Sequence, residues 1–548
     1  MARPLVRSSQ LEAGDPVASS SRPPPSLSPS GARVAWLGLL GLAAVLHLAS
    51  LGCALELHAR LRAQIGLSVA AGLCWLAALA VVRRSPPPER PAERRLTVGL
   101  LLLALVLRLP ALLPPLGHSD DVFRYLWDGA VQAAGHSPYQ GPPDDPAYAA
   151  VAAAHPSLHA RINHRHLPTI YPPVAQAVFR AFVATAGLPP DPEDAARRWR
   201  LFVGGLDLTV LALLWPVCRR RDLRLWAVWA ACPLPAMELW LNGHIEGLGL
   251  LPLVLGLLLW RRAETSVLSA PSSVRRPSSA LLAGAVTALA VLVKPVALAP
   301  LPSLVRLGAR ARAALLLGLL LGGSVGLWPY RGAGGAMLGS LGEYGRRWRS
   351  NDGAYALVYA AAASLVDAAY QPPYYEPWRS KRLARLISGR ARDTVWPDEL
   401  TAALARGTVA AALLALALWL ARRGAPAAES ALLLLLGYQL LTPTLHPWYE
   451  LWPLAVLVLA PSGPRLLWAL GGMVALAPLG YLPLGEYWQG APWREARWPR
   501  LLEHGAGWLG LLWACRARFS PRSLRAAWPR RARADPPDRA EPTGGRAD

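Results

Sequence analysis

The sequence predicts an all-α integral membrane protein of about twelve to fourteen transmembrane helices, with juxtamembrane helices and large loops on one face. Three observations predict it. Hydrophobic residues make up 53% of the 548 positions and gather into long runs instead of recurring at the period of soluble helices. Arginine collects in the connections between alternate runs, the bias that orients spans in a bilayer. The unusual polar clusters fall in the other set of connections. The formal charge of +23, from 57 basic and 34 acidic residues, therefore reports topology first, so membrane lipids are expected partners and nucleic acid is not.

Taken in order, residues 1–32 are rich in Arg, Pro and Ser and read as a disordered cytoplasmic tail with no cleaved signal peptide. The runs 34–55, 65–82 and 96–116 read as three spans. Arg83, Arg84, Arg90, Arg94 and Arg95 put the connection between the second and third in the cytoplasm. The segment 117–199 then opens on the far side. Within it, 172–187 is apolar but begins Pro172-Pro173 and contains Arg180, so it is expected along the interface. Were it to span, Arg219-Arg220-Arg221 after the next span, 201–218, would lie outside.

Spans at 224–241 and 245–260 follow, and 279–304 is broken at Lys294-Pro295, read as a re-entrant pair of helices. After 312–329 comes a second external segment, 330–400, with Tyr344, Trp348, Asn351, Asp352, Tyr355 and Pro372-Pro373-Tyr374-Tyr375; its apolar piece 353–370 is left open as inside or outside the bilayer. Runs at 403–421, 428–445, 447–461, 465–483 and 503–516 complete the membrane domain, 33–516. The arginine-dense residues 517–548 read as a basic cytoplasmic tail able to meet anionic headgroups.

Chemistry concentrates on the far face. His118-Ser119-Asp120-Asp121-Val122-Phe123-Arg124-Tyr125-Leu126-Trp127-Asp128 follows an apolar run, so its carboxylates emerge where lipid meets water, a costly place for charge. A helix from Ser119 puts Asp120, Asp121, Arg124 and Asp128 near one face and Val122, Phe123, Leu126 and Trp127 on the other, suited to lying along the interface. The plainer alternative is a Ser119-capped helix whose aspartates answer its dipole. Asn163-His164-Arg165-His166, Asn242-Gly243-His244-Ile245-Glu246, Lys294 and Thr444-Leu445-His446-Pro447-Trp448-Tyr449 fall on the same side. A carboxylate at the rim of an apolar cavity takes a proton from a hydroxyl, and nearby cations hold a departing phosphate. Lys294 needs an anionic partner inside the apolar run, either a ligand or a structural pair with Asp207 or Glu246, and the Asn242 turn has a hydrogen-bonded turn as its alternative. The five cysteines and the loop histidines show no metal-site spacing, so no metal and no cofactor is expected.

In order and loop placement, from about 120 to 450, several stretches resemble the glycosyltransferase-C (GT-C) superfamily and, within it, bacterial mannosyltransferase-like proteins. They are His118 to Gly129 with Ala134 to Tyr139, Leu167 to Pro173, Asn242-Gly243-His244, Lys294-Pro295 and Thr444 to Trp448. The resemblance implies inverting transfer of a hexose, mannose in the reading favoured here, from a polyprenyl-phosphate sugar to a lipid or glycan acceptor outside the cytoplasm of the inner (plasma) membrane. The Asp-x-x-Arg-Tyr pattern of related transferases falls on Asp121, Arg124 and Tyr125. Asp121 is thus the expected base, with Asp120 assisting or replacing it; Arg124, Tyr125, Tyr171, Asn242, His244, Lys294 and His446 are expected at the donor phosphate or substrate. Two early spans precede the family's usual first helix. The competing function is a transporter or flippase for a lipid-linked saccharide, argued from the Lys294-Pro295 break.

Overall fold

A computed structural model of the chain describes residues 29–84, 90–269, 277–370, 376–388 and 392–516. The expected tails, 1–32 up to residue 28 and all of 517–548, and the Pro372–Tyr375 run lie outside the described residues. The fold is an all-α membrane architecture whose one sheet, among the described residues, pairs Trp378–Arg379 with Thr394–Val395. Among the described residues seven helices are long and apolar enough to cross a bilayer alone: Ser30–Ala54, Leu57–Arg83, Ala92–Leu112, Pro192–Arg221, Ala309–Ala333, Pro397–Arg422 and Gly463–Tyr487. The other expected spans are shorter or broken, and proline explains most of the breaks.

The run 224–241 is the clearest case. It is not one helix but a 3-10 turn at Leu223–Trp226, a helical turn at Ala227–Ala230, a Pro233–Pro235 corner and a π-helical turn at Ala236–Leu241. Such irregular backbone is tolerated at membrane depth only when buried and satisfied. Here Arg108, fully buried, donates to the carbonyls of Trp229 and Ala230 at 3.1 and 3.0 Å and to Asp207 at 2.5 Å. Asp207 also accepts from the indoles of Trp229 and Trp240, each at 2.8 Å. The Lys294–Asp207 pairing weighed from the sequence is therefore excluded: Asp207 belongs to Arg108.

The run 279–304 does break at Lys294-Pro295, but not into two helices. One helix, Pro277–Val291, gives way to 3-10 turns at Pro295–Leu298 and Leu301–Arg306, because Pro295, Pro300 and Pro302 withhold the donors a second α-helix needs. The first helix packs tightly on Ala309–Leu327. A Cβ at Gly284, Gly318 or Gly322 would collide with the partner's backbone, so these glycines set the close approach that fixes where Lys294 emerges.

The two ends of the array differ in chemistry. At one end Arg221 donates to Val458 and Ala460 carbonyls at 3.0 Å, Arg224 to Val82 at 2.9 Å, Arg83 to Pro464 and Arg306 to Gly424. The Leu57–Arg84 helix links this end to the other: Leu57 packs on Gly117, and beyond a kink at Arg60 the helix continues to Arg84, a rise of roughly 36 Å.

At that second end Asp121–Ala133 forms a helix with Asp120 at its N-cap, and the Ser119 hydroxyl accepts from the Asp121 amide at 3.3 Å. The apolar side expected to face lipid is instead covered by protein. Residues 122–132 are buried on every face, covered by Pro173–Ala186, Pro192–Arg221 and the 146–162 loop, so Arg124 and Asp128 satisfy each other inside at 2.9 Å. The Pro173–Ala186 helix has 14 residues, about 21 Å, too short to cross a hydrocarbon core upright. Its Val174 amide donates to the Leu292 carbonyl at 3.1 Å, clamping it beside the Lys294 break. Gly353–Ala369 packs along Pro397–Arg422 through Tyr355, Ala362, Ala405 and Val409.

Candidate active site

Six segments of the sequence meet in one cavity of about 250 Å³. The Asp121–Ala133 helix supplies Asp121, Arg124 and Tyr125. Asn163, His164 and Tyr171 come from the following loop. Glu246 and Lys294 face in from the helix array, and Tyr344, Trp348, His446, Trp448 and Tyr449 close the far wall. The far wall is held by the backbone: Ser350 donates to the Pro443 carbonyl at 3.1 Å and accepts from the Leu445 amide at 2.9 Å, fixing the Trp348 loop against the His446 turn.

Asp121 is a quarter exposed, and Asp120, its neighbour, is exposed. The Asn163 amide donates to Asp121 Oδ1 at 3.2 Å and to Asp120 Oδ1 at 2.5 Å, bridging the pair. Desolvation, reinforced by the Asp120 charge, pushes the Asp121 carboxyl up to about 7, and the Asn163 hydrogen bond works against that rise. A carboxylate so placed exchanges a proton near neutral pH, which a general base requires.

Lys294 faces the same space. Its Nζ donates to Glu246 Oε1 at 2.6 Å and lies 3.6 Å from the Tyr449 ring centre, yet the side chain keeps a fifth of its surface exposed while Glu246 is buried. The structural partner and the partly exposed cation thus coexist: the pair with Glu246 leaves Lys294 with hydrogens that can meet an anion in the cavity.

The other sequence-derived candidates sort into three groups. Tyr171 and His446 line the cavity, with His446 Nε2 3.3 Å from Tyr344 Oη and its ring stacked on Trp448 at 4.4 Å. Arg124 and Tyr125 also line it, but Arg124 is committed to Asp128 and to the Leu167 carbonyl at 3.1 Å, and Tyr125 packs between Phe179, Tyr171 and Trp199. Their geometry positions the wall more than it offers free donors. Asn242 and His244 lie beneath the cavity, not on its wall.

That lower layer was mostly missed from sequence. His118 links Gln64 at 3.0 Å to Asn242 at 3.1 Å; Asn242 donates to Glu238 at 3.1 Å, and Tyr481 donates to the same Glu238 oxygen at 2.8 Å. His244, stacked on Trp448 at 3.8 Å, stands between Asp121 at 3.8 Å and Glu238 at 3.4 Å. Glu238 inside an apolar run was the available signal, since an ionisable group at that depth needs a reason. Among the described residues no group of three His, Cys, Asp or Glu side chains gathers as a metal site.

Residues 399–496 match the family model of the MptB C-terminal domain. The match supports a mannosyltransferase-like family at a coarse level. The MptB-like segment contributes His446, Trp448 and Tyr449 to the cavity and Tyr481 to the layer below, so it reaches the candidate site but not Asp121 or Lys294. No curated protein and no solved structure matches the chain.

Proposed function

We propose that the chain is an inverting glycosyltransferase that moves a hexose, mannose, from a polyprenyl-phosphate donor to a lipid or glycan acceptor on the non-cytoplasmic side of the plasma membrane. The observation that carries this reading is that a proton-accepting carboxylate, Asp121, and a partly exposed cation, Lys294, line one small cavity, at the end of the helix array away from Arg83, Arg221, Arg224 and Arg306. The MptB-like segment supports it, since MptB is a mannosyltransferase.

In this mechanism the donor phosphate sits toward Lys294 and His446, and the acceptor hydroxyl toward Asp121. The acceptor oxygen attacks the anomeric carbon from the face opposite the phosphate. The carbon–oxygen bond to phosphate breaks as the new glycosidic bond forms. Asp121 takes the hydroxyl proton, and the polyprenyl phosphate leaves with the bonding electrons, its charge balanced by Lys294. Asp120 and Asn163 hold Asp121 in place and set its basicity. An apolar groove of about 500 Å³ starts at Pro295, which it shares with the cavity wall, and runs past Val296, Leu413, Leu434 and Tyr438, suiting the donor's lipid chain. Topology follows the arginines: the end sewn by Arg83, Arg221, Arg224 and Arg306 is cytoplasmic.

A flippase needs a polar site that both sides reach in turn, as in transporters with broken helices at the midplane. The Lys294-Pro295 break instead faces a cavity at one end. Purified protein given radiolabelled polyprenyl-phosphate mannose and a mannose-bearing lipid acceptor tests the proposal: label in the acceptor supports it, and label moved across a bilayer without transfer supports the flippase.

A further inference from the structure

A second chamber of about 830 Å³ lies behind the candidate active site. The Ala336–Arg347 helix is the wall between them: Ser340, Glu343 and Tyr344 face the first cavity, and Glu343 and Arg346 face the second. The chamber is two-sided in chemistry. Leu383, Leu386 and Ile387, from the amphipathic helix Lys381–Ser388, and Leu400 and Leu404 make an apolar flank. Arg346, Arg349, Arg392 and Arg406 bring four cations to the same space, against three carboxylates, Glu343, Asp398 and Glu399.

Three of those cations are already answered. Arg346 pairs with Glu343 at 3.0 Å, Arg392 with Glu399 at 2.7 Å and Arg349 with Asp352 at 2.5 Å. Arg406 has no ion pair and no hydrogen bond among the described residues, and its Nε is buried. Close by, the fully buried Tyr355 hydroxyl also lacks a partner, and Arg349 stacks at 4.1 Å over Tyr359. A buried guanidinium edge without an acceptor is costly, and the usual remedy is an anion with several oxygens. An apolar flank beside that anion site fits an amphiphile better than a free ion.

We infer that this chamber binds the phosphate headgroup of an anionic lipid, with Arg406 as the cation that meets it and the Lys381–Ser388 helix against its acyl portion. Identifying that lipid as the acceptor, or as the carrier of the acceptor, rests on the transferase reading; the binding itself does not. Glu343, which lines both cavities, sets the two sites side by side.

The test titrates the purified full chain in neutral detergent with dioctanoyl phosphatidylglycerol and reads binding by native mass spectrometry. Saturable binding is expected, stronger than that of dioctanoyl phosphatidylcholine. Arg406→Gln is expected to weaken it about tenfold or more, the scale of one charge-assisted hydrogen bond, and Arg406→Lys to recover part. Arg346→Gln, which removes a second cation from the chamber lining, should weaken it as well and serves if Arg406→Gln does not fold. Equal affinity of wild type and both glutamine variants overturns the inference. So does equal binding of phosphatidylcholine, and displacement by inorganic phosphate at matched concentration overturns the lipid assignment in favour of a free anion. Failure of the transferase reading would appear elsewhere, as absent sugar transfer with phosphatidylglycerol binding and its Arg406 dependence intact.

Discussion

The Nζ of Lys294 lies 2.6 Å from Glu246 Oε1, and the carboxylate is buried while the ammonium is partly open to the cavity. Removing either partner alone strands the other, which for a buried pair costs about 3–5 kcal/mol. Lys294→Met is therefore expected to lower the unfolding temperature as well as donor affinity. The double variant Lys294→Met/Glu246→Gln is expected to recover most of the stability and none of the donor affinity. Thermal unfolding and donor binding on the three proteins check this. Recovery of donor affinity in the double variant would make the lysine purely structural.

Asp121 gives the account a pH signature. Its carboxyl is pushed from 3.8 up to about 7, so the base is mostly protonated at pH 6 and mostly ionised at pH 8. The rate kcat/KM is expected to rise about tenfold per unit below that midpoint and to level above it. Asp120→Asn removes the neighbouring charge and should shift the midpoint down with partial activity kept; Asn163→Ala removes a hydrogen bond to the ionised form and should shift it up. Stability follows the opposite sense. A carboxyl with a raised folded pKa contributes most below its unfolded value near 3.8, and that contribution is lost as pH rises through about 7. Midpoints that do not move in either variant would remove Asp121 from the profile.

Arg108 tests the fold independently of the chemistry. It holds Asp207 and the carbonyls of Trp229 and Ala230 where the backbone departs from helix. Arg108→Met is expected to cost about 3–5 kcal/mol, since it leaves the buried Asp207 without its countercharge and two carbonyls without their donor at membrane depth. Thermal unfolding in detergent reads this directly, and an unchanged midpoint would contradict it.

The topology has its own check. Single cysteines at Ala150 and Pro190, in a background lacking the native ones, are expected to react with a membrane-impermeant thiol reagent from the non-cytoplasmic side. Labelling of position 190 only from the cytoplasm would make Pro173–Ala186 a span and invert the remainder.

Much of this arrangement was legible in the sequence where a charge sat in an apolar context. Asp121 after a span and Lys294 within a run each demanded an explanation by cost alone, and both line the cavity. Lys294-Pro295 announced its break through the missing amide. The layer beneath was not legible, because its links join distant residues: Tyr481 meets Glu238 across 243 positions, and His118 meets Gln64 across 54. Local periodicity carries no information about such pairs. It also gave the Asp121–Ala133 helix a lipid-facing side, because an amphipathic pattern suits that equally well as a fully enclosed helix with an internal Arg124–Asp128 pair. Arg108, at the end of an apolar run, gave no hint that Asp207 would take it instead of Lys294.

The central claim is that Asp121 removes the acceptor proton. Asp121→Asn keeps the shape and most of the hydrogen bonding of the carboxylate while abolishing its basicity, and loss of a positioned base costs about 10²- to 10⁴-fold in rate. The decisive measurement is single-turnover transfer of radiolabelled mannose from a polyprenyl phosphate at saturating donor and acceptor, with donor binding measured on the same preparation. The account predicts unchanged donor binding and transfer reduced at least a hundredfold in Asp121→Asn. Near wild-type turnover in that variant would contradict it.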